Sequence, residues 1–231
     1  EPMTFNRSSF DDFLLKQGCL AFFNPPISLE CGRRSGWDID PHNLYANLTV
    51  KRQLAQYVYT FAIEQGLQPD LFLGIPMRAI PLGESVNELI DYKDPEQIPA
   101  TILRQDDTRN GNPSLPYAVG PLHVGQHVVL IDDTVVTGTS FMRYVSRLQD
   151  KGIIVDGVIV GINRLEKMDT GRAVDRLLKE AYGVTLYCLT DVSTLLPKAI
   201  QSLDMPHETV HELKQYYHKY GIHDFSLEAF E

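Results

Sequence analysis

Four continuous apolar runs constrain this chain more than any other feature: Asp70-Leu-Phe-Leu-Gly74, His127-Val-Val-Leu-Ile131, Ile153 to Ile162, and Val184 to Leu189. They are short for helices, and they lack the alternation of a strand with one wet face, so they read as strands buried on both sides. Ala100-Thr-Ile-Leu103 is a fifth, shorter run. Helical patterns over Ile80–Tyr92, Ser140–Lys151 and Thr170–Tyr182 lie between them, and two more follow near Val192–Ile200 and His207–Tyr220. Buried strands separated by helices of this length are the mark of βαβ units, whose right-handed crossovers lay helices on both faces. The expected class is therefore α/β, with a central, mostly parallel sheet flanked by helices.

The stretch before the first run differs. Ser9 to Gly18 carries Phe10, Phe13 and Leu14 at helical spacing and stops at a glycine, and Ile27 to Ile39 reads as a small hairpin. Asn47 or Thr49 then caps a helix through Gln65, with Leu54, Val58, Phe61 and Ala62 on one face. Residues 1–45 are read as a small N-terminal hood of helix and hairpin, part of the same domain as a core over 46–231. With 231 residues, 43% of them hydrophobic, one core of ordinary size is attainable.

A net charge of −9 argues against general nucleic-acid or anionic-membrane partners, which need a broad positive field. It leaves an anionic small molecule open, because a few basic groups can dominate one cleft. No apolar run approaches the roughly 18 residues of a membrane span, and Glu1 to Arg7 lacks the basic-then-apolar pattern of a signal peptide. Cys19, Cys31 and Cys188 are odd in number and form no C-x-x-C pair, which fits a reducing compartment. A cytoplasmic chain is expected. The histidines show no ligand spacing with acids, and no protein-built metal site is expected.

One segment carries chemistry. The run His127–Ile131 leads into Asp132 and Asp133, then Thr134-Val135-Val136-Thr137-Gly138-Thr139-Ser140, then a helix. The bland alternative is a helix start with capping acids and threonines. Against it stands the order of parts. A small-residue turn opening a helix presents free backbone N–H groups and a positive dipole end to an anion. Two carboxylates one step earlier are poor phosphate ligands but good acceptors for sugar hydroxyls. Neither G-x-G-x-x-G nor a Gly-Lys-Ser/Thr ending is present. The stretch Gln105–Gln126 before this segment has no usable period, and a loop of that length is usually functional.

Val129-Leu-Ile-Asp-Asp-Thr-Val-Val-Thr-Gly-Thr-Ser140 resembles the signature of type I phosphoribosyltransferases, which implies their fold, a sheet with an N-terminal hood. Further segments resemble orotate phosphoribosyltransferases, in order and over nearly the whole chain: Ile27–Ser35, Leu73–Leu82, Arg104 with the loop after it, Ile159–Glu166, and Val210–Ile222. The resemblance implies transfer of a phosphoribosyl group from phosphoribosyl pyrophosphate to a nucleobase, orotate being favoured, in a homodimer with Mg²⁺ held mainly by substrate and water. It assigns Asp132, Asp133, Arg104 and Arg109 to catalysis. Arg78, Glu30, Arg164 and the loop from Thr134 through Val135, Val136, Thr137, Gly138 and Thr139 to Ser140 are assigned to substrate binding. Arg164 matches the residue that faces the orotate carboxylate.

The departures lie at the base end and in the loop. Glu30 stands where the family has a lysine, Asp38 and Ile39 replace an aromatic pair, and Val136 replaces a threonine. The loop after Arg104 lacks the family's lysines and histidine, leaving Arg109 as the replacement cation. Two other readings therefore stay open: a phosphoribosyltransferase for a different base, and a regulatory protein that binds the donor without turnover. Arg33 and Arg34 are expected in a solvated turn or at a subunit interface, Trp37 as a core or interface anchor, and Tyr216, Tyr217 and Tyr220 as a packing stripe.

Overall fold

A computed structural model describes residues 4–29, 31–90, 100–104 and 117–222. Helix α1 (Arg7–Lys16) leads into an antiparallel hairpin of β1 (Leu20–Ser28) and β2 (Arg34–Ile39), then α2 (Pro41–Leu44) and the long α3 (Leu48–Glu64). There follow β3 (Leu71–Gly74), α4 (Ile80–Asn87), the two-residue strands β4 (Ile102–Leu103) and β5 (Ala118–Val119), and β6 (His127–Val135). The chain continues through α5 (Thr139–Asp150), β7 (Ile154–Asn163), α6 (Val174–Tyr182), β8 (Leu186–Asp191), α7 (Val192–Ser202) and α8 (His207–Tyr220).

The central sheet has the order β3-β6-β7-β8 and is parallel throughout. Its apolar runs are continuous because both faces are covered, and the side chains divide by the two-residue period of a strand. Phe72, Val129, Ile131, Ile159 and Leu189 pack on one side with α1, α3, α7, α8 and the hairpin. Leu71, Leu73, Val128, Leu130, Val158 and Val160 pack on the other with α5 and α6. Side chains start several helices where the sequence offers a cap: Asn6 accepts from the Ser9 N–H, Asn47 from Val50 and Asp191 from Ser193. Gly74 and Gly83 let β3 and α4 approach closely, since a Cβ on Gly74 would lie 1.9 Å from the Ala79 carbonyl oxygen.

Several boundaries differ from the sequence reading. The strand read as ending at Ile131 runs on to Val135, so both aspartates are strand residues: β7 pairs with them in register, Asp132 opposite Val160 and Thr134 opposite Ile162. Backbone pairing within the sheet outweighs the low strand propensity of aspartate. The hairpin begins at Leu20, with a register shift between Phe22 and Ile27 that coincides with Pro25 and Pro26, which cannot donate to a ladder. Helix α6 starts at Val174, four residues later than expected. Part of the aperiodic stretch before β6 is ordered, because β5 pairs antiparallel with β4.

The largest departure concerns Arg33. It is neither solvated nor, within this chain, waiting for a partner: it is buried, and its guanidinium bonds Glu166 (3.0 Å), the Lys167 carbonyl (2.7 Å) and Asp169 (3.1 Å) while lying over the Tyr220 ring. Glu166, only 2% exposed, also accepts from the Arg164 Nε (2.7 Å) and the Tyr216 hydroxyl (2.9 Å). One carboxylate thereby ties the hairpin, the end of β7 and α8 together. Breaking a buried ion pair from one side leaves charge unpaired at a cost of roughly 3–5 kcal/mol. Glu166→Gln is expected to lower unfolding stability by about that amount in urea titrations, and a loss below ~1 kcal/mol, the range of exposed pairs, would contradict this role.

Candidate active site

The carboxyl ends of β3, β6 and β7 open into one cleft of about 850 Å³. Its floor and one wall are Asp132, Thr134, Val135, Val136 and the turn Thr137–Ser140, and Arg78, Arg143, Tyr144, Asp38 and Asp169 are among the others that line it. Ligands of open parallel sheets sit at this edge, where loops diverge from the strands.

The turn is shaped by Gly138. Its φ of +66° is left-handed, and an added Cβ would meet Val174 Cγ2 at 2.2 Å and the Phe141 ring at 2.6 Å. Only glycine fits both constraints. No side chain caps the N-terminus of α5, which leaves its first-turn N–H groups for an anion. The hydroxyls of Thr137 and Thr139 lie 3.1 Å apart at its mouth.

One step back along β6 are the two acids. Both are buried, and the strand's alternation sends them to different sides: Asp132 and Thr134 line the cleft, whereas Asp133 reaches Arg78 (3.1 Å) on the loop after β3. The Asp133 N–H donates to the Asp132 carboxylate (2.9 Å). Burial, then the charge of Asp133, pushes the Asp132 carboxyl well above the ordinary carboxylate range. Burial also raises Asp133, opposed by the Arg78 guanidinium. Asp133 Oδ2 is buried without a hydrogen-bond partner. Nearby Tyr45, whose hydroxyl is likewise buried and unmatched, is raised by burial and by both acids. This is a site with more negative charge and acceptor capacity than the protein itself satisfies. It fits a ligand that brings hydroxyl donors and cations. Among the described residues no three His, Cys, Asp or Glu side chains converge on a metal position. A Mg²⁺ ion here would take most of its oxygens from substrate and water, which its chemistry allows.

The structure assembles most of the candidates read from sequence and adds others. Arg78, half-exposed, spans from the β3 loop to the acid pair. Arg104 lies outside the cleft lining, its side chain exposed and its backbone held at both ends: its N–H donates to the Tyr117 carbonyl (3.0 Å) and its carbonyl accepts from the Tyr144 hydroxyl (3.1 Å). Glu30 and Arg109 lie outside the described residues. Arg143 and Tyr144 were not singled out from sequence, although they stand one helical turn after Thr139 and Ser140 and so share their face. Arg164 is fully buried and does not line the cleft. It lies 4.1 Å beneath the Trp37 ring and pairs with Asp38 (3.1 Å) and Glu166.

No family model matches the chain. Among curated sequences it is 27% identical over 191 residues to the orotate phosphoribosyltransferase of Pyrococcus abyssi, covering 83% of this chain and 96% of that one. It is 24% identical over 221 residues to that of Legionella pneumophila strain Lens, covering 96% of this chain and all of the other. Among solved structures, the orotate phosphoribosyltransferase of Francisella tularensis superposes with a TM-score of 0.69 at 22% identity, covering 92% of this chain and 99% of that chain. The Leishmania donovani UMP synthase gives 0.71 at 20% identity, covering 91% of this chain and 42% of that one. The chain therefore has the phosphoribosyltransferase fold and resembles orotate phosphoribosyltransferases over most of its length. No helix among the described residues is long and apolar enough to cross a membrane.

The acid pair has a measurable signature. Carboxyls whose pKa is raised by folding bind more protons folded than unfolded, so their linked stability is present at acid pH and lost as pH rises through the raised value. The ligand-free protein is expected to lose thermal stability from the ordinary carboxylate range upward, as the two acids ionise in successive steps. Asp132→Asn should flatten that slope and raise the melting temperature at neutral pH. Equal slopes in both proteins would mean that the pair ionises without strain.

Proposed function

We propose that this chain is a phosphoribosyltransferase of the orotate type. It moves the 5-phosphoribosyl group of phosphoribosyl pyrophosphate onto a nucleobase nitrogen, orotate by the names of its relatives, and releases pyrophosphate. The observation that carries this reading is the placement of the buried Asp132 directly behind an uncapped, glycine-shaped helix start, in one cleft with Arg78, whose guanidinium the buried Asp133 holds. That spacing matches a sugar phosphate: anion at the turn, hydroxyls at Asp132, leaving group towards the arginine.

In this reading Thr137 to Ser140 hold the 5-phosphate with backbone N–H groups and hydroxyls. Asp132 accepts from the ribose hydroxyls and places negative charge beneath the ring, where an oxocarbenium-like transition state develops positive charge, and Asp133 holds Arg78 beside it. Arg78 meets the departing pyrophosphate, and Arg104, on its pinned backbone, is a second cation for its charge. Little proton transfer is needed, so positioning and charge neutralisation are the main contributions. Asp132 is the cleft carboxylate that would help hold a Mg²⁺ ion, which would supply positive charge to the leaving group. A homodimer in the cytoplasm is part of the same proposal, supported by the sequence resemblance, in which the loop after Arg104 completes a neighbouring site.

Calorimetry with phosphoribosyl pyrophosphate and Mg²⁺ is expected to show binding that Asp132→Asn abolishes. In a steady-state assay with orotate, Arg78→Ala should lower kcat by roughly 10²–10³-fold, as loss of one transition-state charge partner does. Absence of donor binding would sink the proposal. Donor binding with no turnover on any base would leave a binding protein.

A further inference from the structure

The acceptor end of the cleft is acidic, and its arginines are spent internally. A guanidinium has five N–H donors, and five acceptors surround Arg164. Glu166 takes Nε–H (2.7 Å), Asp38 (3.1 Å) and the Trp37 carbonyl (3.5 Å) take one terminal nitrogen, and Ser35 Oγ (3.2 Å) and the Tyr216 hydroxyl (3.4 Å) take the other. Trp37 covers one face of the group, and none of its surface is exposed. Arg33 is committed in the same way to Glu166 and Asp169. Among the described residues, the charged side chains that the hairpin and the segment after β7 bring to the cleft are Asp38, a third exposed, and Asp169, almost wholly exposed, while Arg78, Asp132 and Arg143 reach it from the β3 loop, β6 and α5.

Resting on the phosphoribosyl-transfer reading, we propose that Asp38 is the specificity-determining residue for the acceptor base. It occupies Arg164 in competition with any carboxylate the base carries, and it presents a carboxylate oxygen to a base edge that donates N–H. A carboxylated base reaches Arg164 only by displacing Asp38, and the two like charges then share one end of the cleft. Orotate, the base in the names of the relatives, must displace the chain's own acid to reach Arg164, whereas a base with a donor edge and no carboxylate meets no such competition. Asp38 touches Arg164 through a single bond, and Glu166 remains as the buried counter-charge, so replacing it does not strip Arg164 of its partners.

Orotidine 5′-phosphate and uridine 5′-phosphate differ only in the base carboxylate, so the ratio of their affinities isolates this effect from the shared phosphate and ribose contacts. Calorimetry on the wild-type protein is expected to show uridine 5′-phosphate bound at least as tightly as orotidine 5′-phosphate. Asp38→Asn should shift the ratio towards orotidine 5′-phosphate by about tenfold or more, equivalent to about 1.4 kcal/mol, and Asp38→Ser should move it the same way. The role of Asp38 is overturned by a tenfold wild-type preference for orotidine 5′-phosphate, a measurement that needs no variant. It is equally overturned if the ratio is unchanged in both variants. If neither nucleotide nor phosphoribosyl pyrophosphate binds, the transferase reading falls, and the role of Asp38 falls with it.

Discussion

The buried carboxylate of Glu166 receives hydrogen bonds from two arginines and a tyrosine that come from three separate parts of the chain. In the low dielectric of the interior each bond is strong and each missing one is costly, so the group works as a unit. It anchors the β1–β2 hairpin to the end of β7 and to α8, and α8 returns to the same point, where Gly221 bridges Glu166 and the Lys167 N–H donates to the Tyr220 carbonyl. The hairpin forms one wall of the cleft through Leu29, Cys31 and Asp38. That wall stands where it does because Glu166 holds its root. The same network draws Arg164 out of the cleft and turns a cation into scaffold.

The donor end of the cleft is built on the opposite principle. There the protein leaves groups unsatisfied: two buried acids that repel, an orphaned carboxylate oxygen and an uncapped helix start. Each costs stability in the free protein, and they gather at the sheet edge where open parallel sheets take their ligands. The parallel sheet makes the arrangement affordable, because β3 and β7 flank β6 along its whole apolar run and hold the acids in register. Local strain concentrates at one end of a strand whose Val128, Val129, Leu130 and Ile131 are among the best buried residues in the molecule.

How much of this was legible depends on the range of the physics involved. The strand runs, the helix period and the cap at Asn47 act over a few residues, and the sequence states them directly. The turn at Gly138 is legible for the same reason. Arg143 and Tyr144 were legible in principle, one helical turn beyond residues already marked. Arg33 was not, because its partners Glu166 and Asp169 lie more than 130 residues away and nothing local distinguishes a buried arginine from a wet one. The end of β6 was misread because aspartate is a poor strand former alone, and only its pairing with β7 keeps it extended.

By itself the sequence determined the α/β class, the glycine turn that opens a helix and the paired acids behind it, since strand burial, glycine freedom and helix starts are written in local residue order. The tertiary structure decided which charges face the cleft. Arg78 comes to the acids across the sheet, while Arg164 and Arg33 are withdrawn into the network around Glu166 and Asp38 is left at the cleft. Charge in a sequence is a count. Its effect depends on burial and on the distance to counter-charges, and folding alone sets both.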